Sequence, residues 1–225
     1  MEILSLTYLG NIQWFSKLCS SECIIDVHEH YVKQSYRNRC DILTANGPVA
    51  LTVNTVKTSN WPKSAVKDIR IDYSKRWQHL HWRSMVSSYS NSPYFDHYAP
   101  ELEPFYTKRF EFLADFNIGL LETVLRLLGC EVRLRFSEEY VEPVTSSTEP
   151  EPTSIHKSRE NIVSDWRDAI SPKPRLARPD PSFVPEPYWQ VFSDRVGFVP
   201  NMSVIDLLFC EGPQSLDIIR DSIVR

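Results

Sequence analysis

Apolar residues recur at helical spacing in residues 11–19, where Ile12, Phe15, Leu18 and Cys19 share one side, and predict a helix. The short apolar run of residues 23–27 then predicts a strand. Runs at residues 40–45 and 49–53 flank Asn46-Gly47, a dipeptide that takes positive φ readily, and predict a hairpin despite Pro48. Residues 68–73 alternate through Ile69 and Ile71, and residues 132–136 through Leu134, as half-buried strands do. Residues 77–90 fit a helix ended by Ser92-Pro93. Leu102, Tyr106, Phe110, Leu113, Leu120, Val124 and Leu127 fit one long helix stopped at Gly129, the expected main scaffold. Ser203 with Asp206 three positions on resembles a capping box opening SVIDLLF, with Gly212 as its stop and Pro213 starting a last helix. The fold class expected is α/β, in the mixed α+β sense: a small, mostly antiparallel or mixed sheet packed by a long central helix and C-terminal helices.

Composition changes this picture at one place. Residues 143–187 hold nine of the sixteen prolines, with Ser and Glu around them. They predict an insert or linker in a single domain of residues 1–225. Within it Ile155, Ile162, Val163, Trp166 and Ile170 have the spacing of one short amphipathic helix. Elsewhere, 42% hydrophobic and 12% aromatic residues exclude wholesale disorder. A net charge of −4 gives no global field for a polyanion, so nucleic acid is not an expected partner. The first 25 residues lack a basic leader and carry Lys17 and Glu22, which argues against a signal peptide or membrane span and for the cytoplasm. Five scattered cysteines point to reduced thiols.

The densest polar string, HEHYVKQSYRNR at residues 28–39, follows the strand of residues 23–27 directly. If the strand continues, its period of two puts Glu29, Tyr31 and Lys33 on one face and His28 and His30 on the other. Glu29 beside Lys33 is a candidate acid/base and charge-stabilising pair; the structural alternative is a solvated ion pair. Arg37, Asn38 and Arg39 are donors suited to a carboxylate or phosphate, or to fastening loop carbonyls and acidic neighbours. Cys19, Cys23, His28 and His30 have a spacing that matches no common zinc motif, so neither a metal nor another cofactor is expected. No glycine-rich phosphate loop and no G-x-S-x-G elbow occurs. On the helix of residues 77–90, Trp77, His81, Ser84 and Ser88 make a semi-polar face. His81, beside Trp82, is a candidate general base, against the reading of a core histidine tied to a carbonyl.

The strings YLGNIQWFSKL, HEHYVKQSYRNRCDI, WQHLHWRSMVSSYSNSPYFDHY, FLADFN and YWQVFSDRVGFVPNMSVIDLLFCEGP together resemble the WbqC-like proteins of bacterial polysaccharide (O-antigen) gene clusters, in the branch common in Bacteroidetes. The resemblance implies surface-polysaccharide biosynthesis, with glycyl-type aminoacyl or other acyl transfer to an amino sugar or sugar nucleotide. Its positions mark Glu29, Lys33 and His81 as catalytic, and Tyr31, Arg37, Asn38, Arg39, Trp82, Asn201, Ser203 and Asp206 as substrate-binding. The rival is a non-catalytic module for a nucleotide-sugar, an activated amino acid or a pathway enzyme, with a second copy of the chain as a further partner.

Overall fold

Residues 1–57, 63–142 and 164–224 are described by a computed structural model. The chain opens with β1 (Glu2–Ser5), crosses through α1 (Ile12–Ser20) and returns as β2 (Cys23–Asp26), which lies parallel to β1 with Glu2 opposite Cys23 and Ser5 opposite Asp26. Asn11 starts α1 because its side-chain oxygen accepts from the Trp14 amide at 3.0 Å. Of the predicted apolar positions of α1, Ile12, Phe15 and Leu18 are buried and Cys19 is partly buried; Lys17 is buried with them and reaches Asp180 at 2.7 Å.

Next comes an antiparallel hairpin of β3 (Arg39–Thr44) and β4 (Gly47–Thr52). Thr44 pairs with Gly47, so the two-residue loop is Ala45-Asn46, and Gly47, at φ +98°, opens the return strand. Residues 68–73 do not form a strand. They follow a 3₁₀ turn (Val66–Asp68) and make only the isolated bridges Thr55 to Ile71 and Arg70 to Phe112. Residues 132–136 likewise contribute one bridge, Phe136 to Ile25, at the edge of β2.

Helix α2 (Trp77–Tyr89) is as expected, but the predicted long helix is two: α3 (Phe95–Thr107) and α4 (Leu113–Leu128). The break at residues 108–112 has a tertiary cause. The Ile71 amide donates to the Glu111 carbonyl at 3.0 Å and the Leu113 amide to the Ile69 carbonyl at 2.8 Å. The Tyr73 hydroxyl accepts from the Phe110 amide at 2.8 Å and donates to its carbonyl. Gln78 holds the end of α3 by donating to the carbonyls of Phe105 and Lys108. Gly129, at φ +64°, ends α4 as predicted.

Of the Pro-rich stretch, residues 143–163, and with them the predicted helix positions Ile155, Ile162 and Val163, lie outside the described residues. At Trp166 and Ile170 the chain is not helical. Instead β5 (Ser164–Asp165) adds a third parallel strand beside β1, giving the order β2-β1-β5. Arg167 then donates to Asp26 at 2.6 Å, to Asp165 and to the Val141 carbonyl, so this stretch is tied into the end of the sheet. A short α5 (Ser193–Val196) precedes α6 (Val204–Glu211), which runs through Gly212 and a 3₁₀ turn into α7 (Ser215–Asp221). The fold is therefore mixed α/β: one parallel sheet, one antiparallel hairpin, and helices around a core in which Phe116 of α4 meets Tyr8, Trp77, Tyr106 and Phe110. Among the described residues no helix is long and apolar enough to cross a membrane.

Candidate functional site

Two buried polar clusters collect most of the residues singled out by the sequence. The first is built on the segment after β2. The strand stops at Asp26, so residues 28–33 do not alternate as an extended face, and Glu29 meets Arg37 instead of Lys33. Arg37 Nε donates to Glu29 Oε1 at 2.8 Å and its Nη2 to Oε2, a two-pronged pair with both residues only 3% exposed. Burial pushes the Glu29 carboxyl up and the guanidinium opposes it; Glu29 and Asp168 in turn hold Arg37 charged. The Arg37 carbonyl accepts from Asn117 of α4 at 2.8 Å. Asn38 donates to the Val53 carbonyl, and Tyr31 is buried with its phenol pushed up. Arg39 pairs along its own strand with Asp41 at 2.8 Å. Lys33 is exposed, and its carbonyl accepts from Lys173.

The second cluster surrounds His81, which is 5% exposed. Burial pulls this imidazole down to about 4, opposed in part by the backbone of Thr52. Its Nδ1 shares a hydrogen bond with the Tyr8 hydroxyl at 2.9 Å, and that hydroxyl shares another with Tyr106 at 2.9 Å. The imidazole is thus engaged inside the protein. Trp82 is half-buried and stacks on Tyr106 and Phe95.

The C-terminal trio is likewise internal. Asn201, at φ +58°, accepts from the Gln13 amide at 2.9 Å. Ser203 precedes α6 but its hydroxyl donates to the Leu9 carbonyl, with no side-chain cap. Asp206 does not close a capping box. It is fully buried and accepts from Tyr89 at 2.7 Å, Tyr188 at 2.5 Å and Gln190 at 2.9 Å. Burial pushes its carboxyl up, and these three donors oppose that.

Of the zinc-like set, Cys19 lies against Cys130, His28 against Ser137, and His30 stacks on Tyr140. Among the described residues no three His, Cys, Asp or Glu side chains gather as metal ligands.

An open cavity of about 420 Å³ lies at the α3–α4 break, lined by Val56, Arg70, Ile71, Tyr73, Arg109, Phe110 and Glu111. None of the catalytic or binding residues expected from the sequence is among them. Arg109 sits 5.1 Å from the Tyr73 ring centre, and the exposed Arg70 pairs with Glu111 at 2.9 Å. Such an exposed pair is weak and exchanges readily for another anion. Two guanidiniums beside aromatic rings suit a ligand carrying phosphate or carboxylate next to a flat or sugar-like body. Lys108-Arg109 falls between the stripe positions Tyr106 and Phe110 without breaking their helical spacing, so the sequence carried no local signal for this cleft.

The model of the WbqC-like protein family matches residues 7–160 of the chain. The match ends before YWQVFSDRVGFVPNMSVIDLLFCEGP, the last of the strings that carried the resemblance. The uncharacterised protein Rv1507c of Mycobacterium tuberculosis is 27% identical over 216 residues, covering 88% of this chain and 87% of its own. No solved structure matches the chain.

Proposed function

The chain belongs to the WbqC-like family, and from that premise we propose that it serves surface-polysaccharide assembly in the cytoplasm by binding a phosphate-bearing sugar donor of the nucleotide-sugar class. The single observation behind this reading is the cleft that sets Arg70 and Arg109 beside Tyr73 and Phe110. Its volume falls in the range of about 300–1,000 Å³ typical of small-molecule sites. The guanidiniums take the phosphates, and the aromatic rings take the sugar or base. Glu29, Tyr31, Arg37, Asn38, His81, Asn201, Ser203 and Asp206 then form the frame that positions the walls. Aminoacyl or acyl transfer, the reaction the resemblance implies, requires Glu29 or His81 to take the proton from an attacking amine. Glu29 and His81 are closed in by their internal partners, which favours the binding reading.

A thermal-shift titration with UDP-N-acetylglucosamine, free N-acetylglucosamine and a non-hydrolysable aminoacyl-adenylate analogue tests it, because a ligand that binds only the native state raises the melting temperature. The nucleotide-sugar raises it in the wild type and not in Arg70→Ala/Arg109→Ala, while the free sugar does nothing. A shift from the aminoacyl-adenylate analogue alone, or a nucleotide-sugar shift unaltered by the double substitution, overturns the reading.

A further inference from the structure

Cys19 stands in the last turn of α1 and Cys130 directly after the Gly129 cap of α4, far apart in sequence. Their sulfur atoms lie 3.0 Å apart, and both are free thiols. A covalent bond of about 2.05 Å therefore needs a closure of about 1 Å. Each sulfur is held by its own element. Cys19 rides on a helix whose apolar side is buried, and the Cys130 amide donates to the Leu125 carbonyl at 2.9 Å. Cys19 is only partly buried, which gives an oxidant access to the pair.

Of the cysteines, Cys130 alone is shifted on balance toward the thiolate. The hydrogen bond shared with Cys19 draws Cys130 down to about 7 against the effect of burial, and the Arg220 guanidinium of α7 adds to the pull. Arg220 acts on Cys19 in the same direction, although the shared proton and burial keep that thiol up. Burial pushes Cys23 up to about 12 and raises Cys40 and Cys210 as well. Thiolate character and access together separate a reactive cysteine from an inert buried one.

We propose that Cys19 and Cys130 are a reversible thiol–disulfide couple whose co-reactant is a low-molecular-weight disulfide. One sulfur of the pair, as thiolate, attacks a sulfur of the small disulfide, forms a mixed disulfide and expels one small thiolate. The second sulfur, its proton passing to that thiolate, attacks the protein sulfur of the mixed disulfide and expels the other. In sum the two protein thiols are oxidised by two electrons, the small disulfide is reduced to two thiols, and α1 is tied to the end of α4.

The full-length protein is incubated with oxidised glutathione, then alkylated in denaturant without reduction and weighed intact. The wild type loses about 2 Da, keeps three alkylatable thiols of its five and yields a linked Cys19–Cys130 peptide on proteolysis. Dithiothreitol reverses all three. Closing so long a loop raises the melting temperature by on the order of 10 °C. Cys19→Ser and Cys130→Ser instead stop at the mixed disulfide, gaining one glutathione. A wild type that keeps five alkylatable thiols, accumulates glutathione without the 2 Da loss, or links a different pair refutes the couple, and this readout does not depend on how the variants fold.

Discussion

His81 shows how one residue type supports opposite readings until its surroundings are known. In a cleft, an imidazole near neutrality is a base. Enclosed by Trp77, Tyr8 and the backbone of Thr52, it is a neutral spacer pulled from 6.5 to about 4. Between those two values the unfolded chain binds more protons than the native one, so the stability due to neutral His81 is complete above 6.5 and is lost as the pH falls toward 4. Denaturant titrations at pH 7.5 and pH 5 measure this: the wild type loses about 2 kcal/mol more than His81→Asn. An equal loss in the two proteins shows that His81 titrates normally. Glu29 makes the complementary case. Glu29→Gln leaves the Arg37 guanidinium buried without its main partner, and lowers stability by about 3–5 kcal/mol in the same titrations.

At the scale of elements, what could be read from the sequence was whatever local pattern decides. The apolar spacing of α1, the hairpin, α2, and the Gly129 and Gly212 stops all appear where the residues place them, except that the hairpin turn sits one residue earlier, at Ala45-Asn46, than the Asn46-Gly47 dipeptide suggested. What could not be read depended on distant partners. The stretch from Leu102 to Leu127 keeps a helical stripe, yet Ile69, Ile71 and Tyr73 capture residues 110–113 in extended pairing and split it. Similarly, residues 28–33 do not extend β2: they keep one antiparallel bridge, His30 to Ala65, with a segment distant in sequence. The cleft exists because of that split helix, so a sequence reading that runs the helix through also removes the site. Tyr73→Phe deletes both bonds to Phe110. It should cost about 1–2 kcal/mol and speed hydrogen exchange at the Phe110 and Ile71 amides, with α2 unaffected. Gly212→Ala is harsher for its size. A Cβ there, at φ +55°, would stand 2.5 Å from the Tyr94 ring, so the α6–α7 junction must move and the melting temperature falls by several degrees.

Across the whole molecule, charged residues fasten distant parts of the chain. Arg167 joins the end of the Pro-rich stretch to Asp26 of β2, Lys17 joins α1 to Asp180, and Arg37 joins residues 29 and 168. The motif strings are thus legible as a set because they build one interior, even though the chemistry first read into them faces inward. Arg167→Ala strands Asp26, which is fully buried, and should lower the melting temperature by about 10 °C while leaving ligand affinity per folded molecule unchanged.

The central claim is that the polar motifs are a frame and that ligand is met at the α3–α4 break. Hydrogen–deuterium exchange with and without saturating UDP-N-acetylglucosamine locates the contact directly. The predicted result is new protection confined to peptides covering residues 53–57, 69–75 and 108–112. Protection centred on residues 28–39 and 79–84, with the cleft unchanged, contradicts the account and returns Glu29, Arg37 and His81 to the ligand.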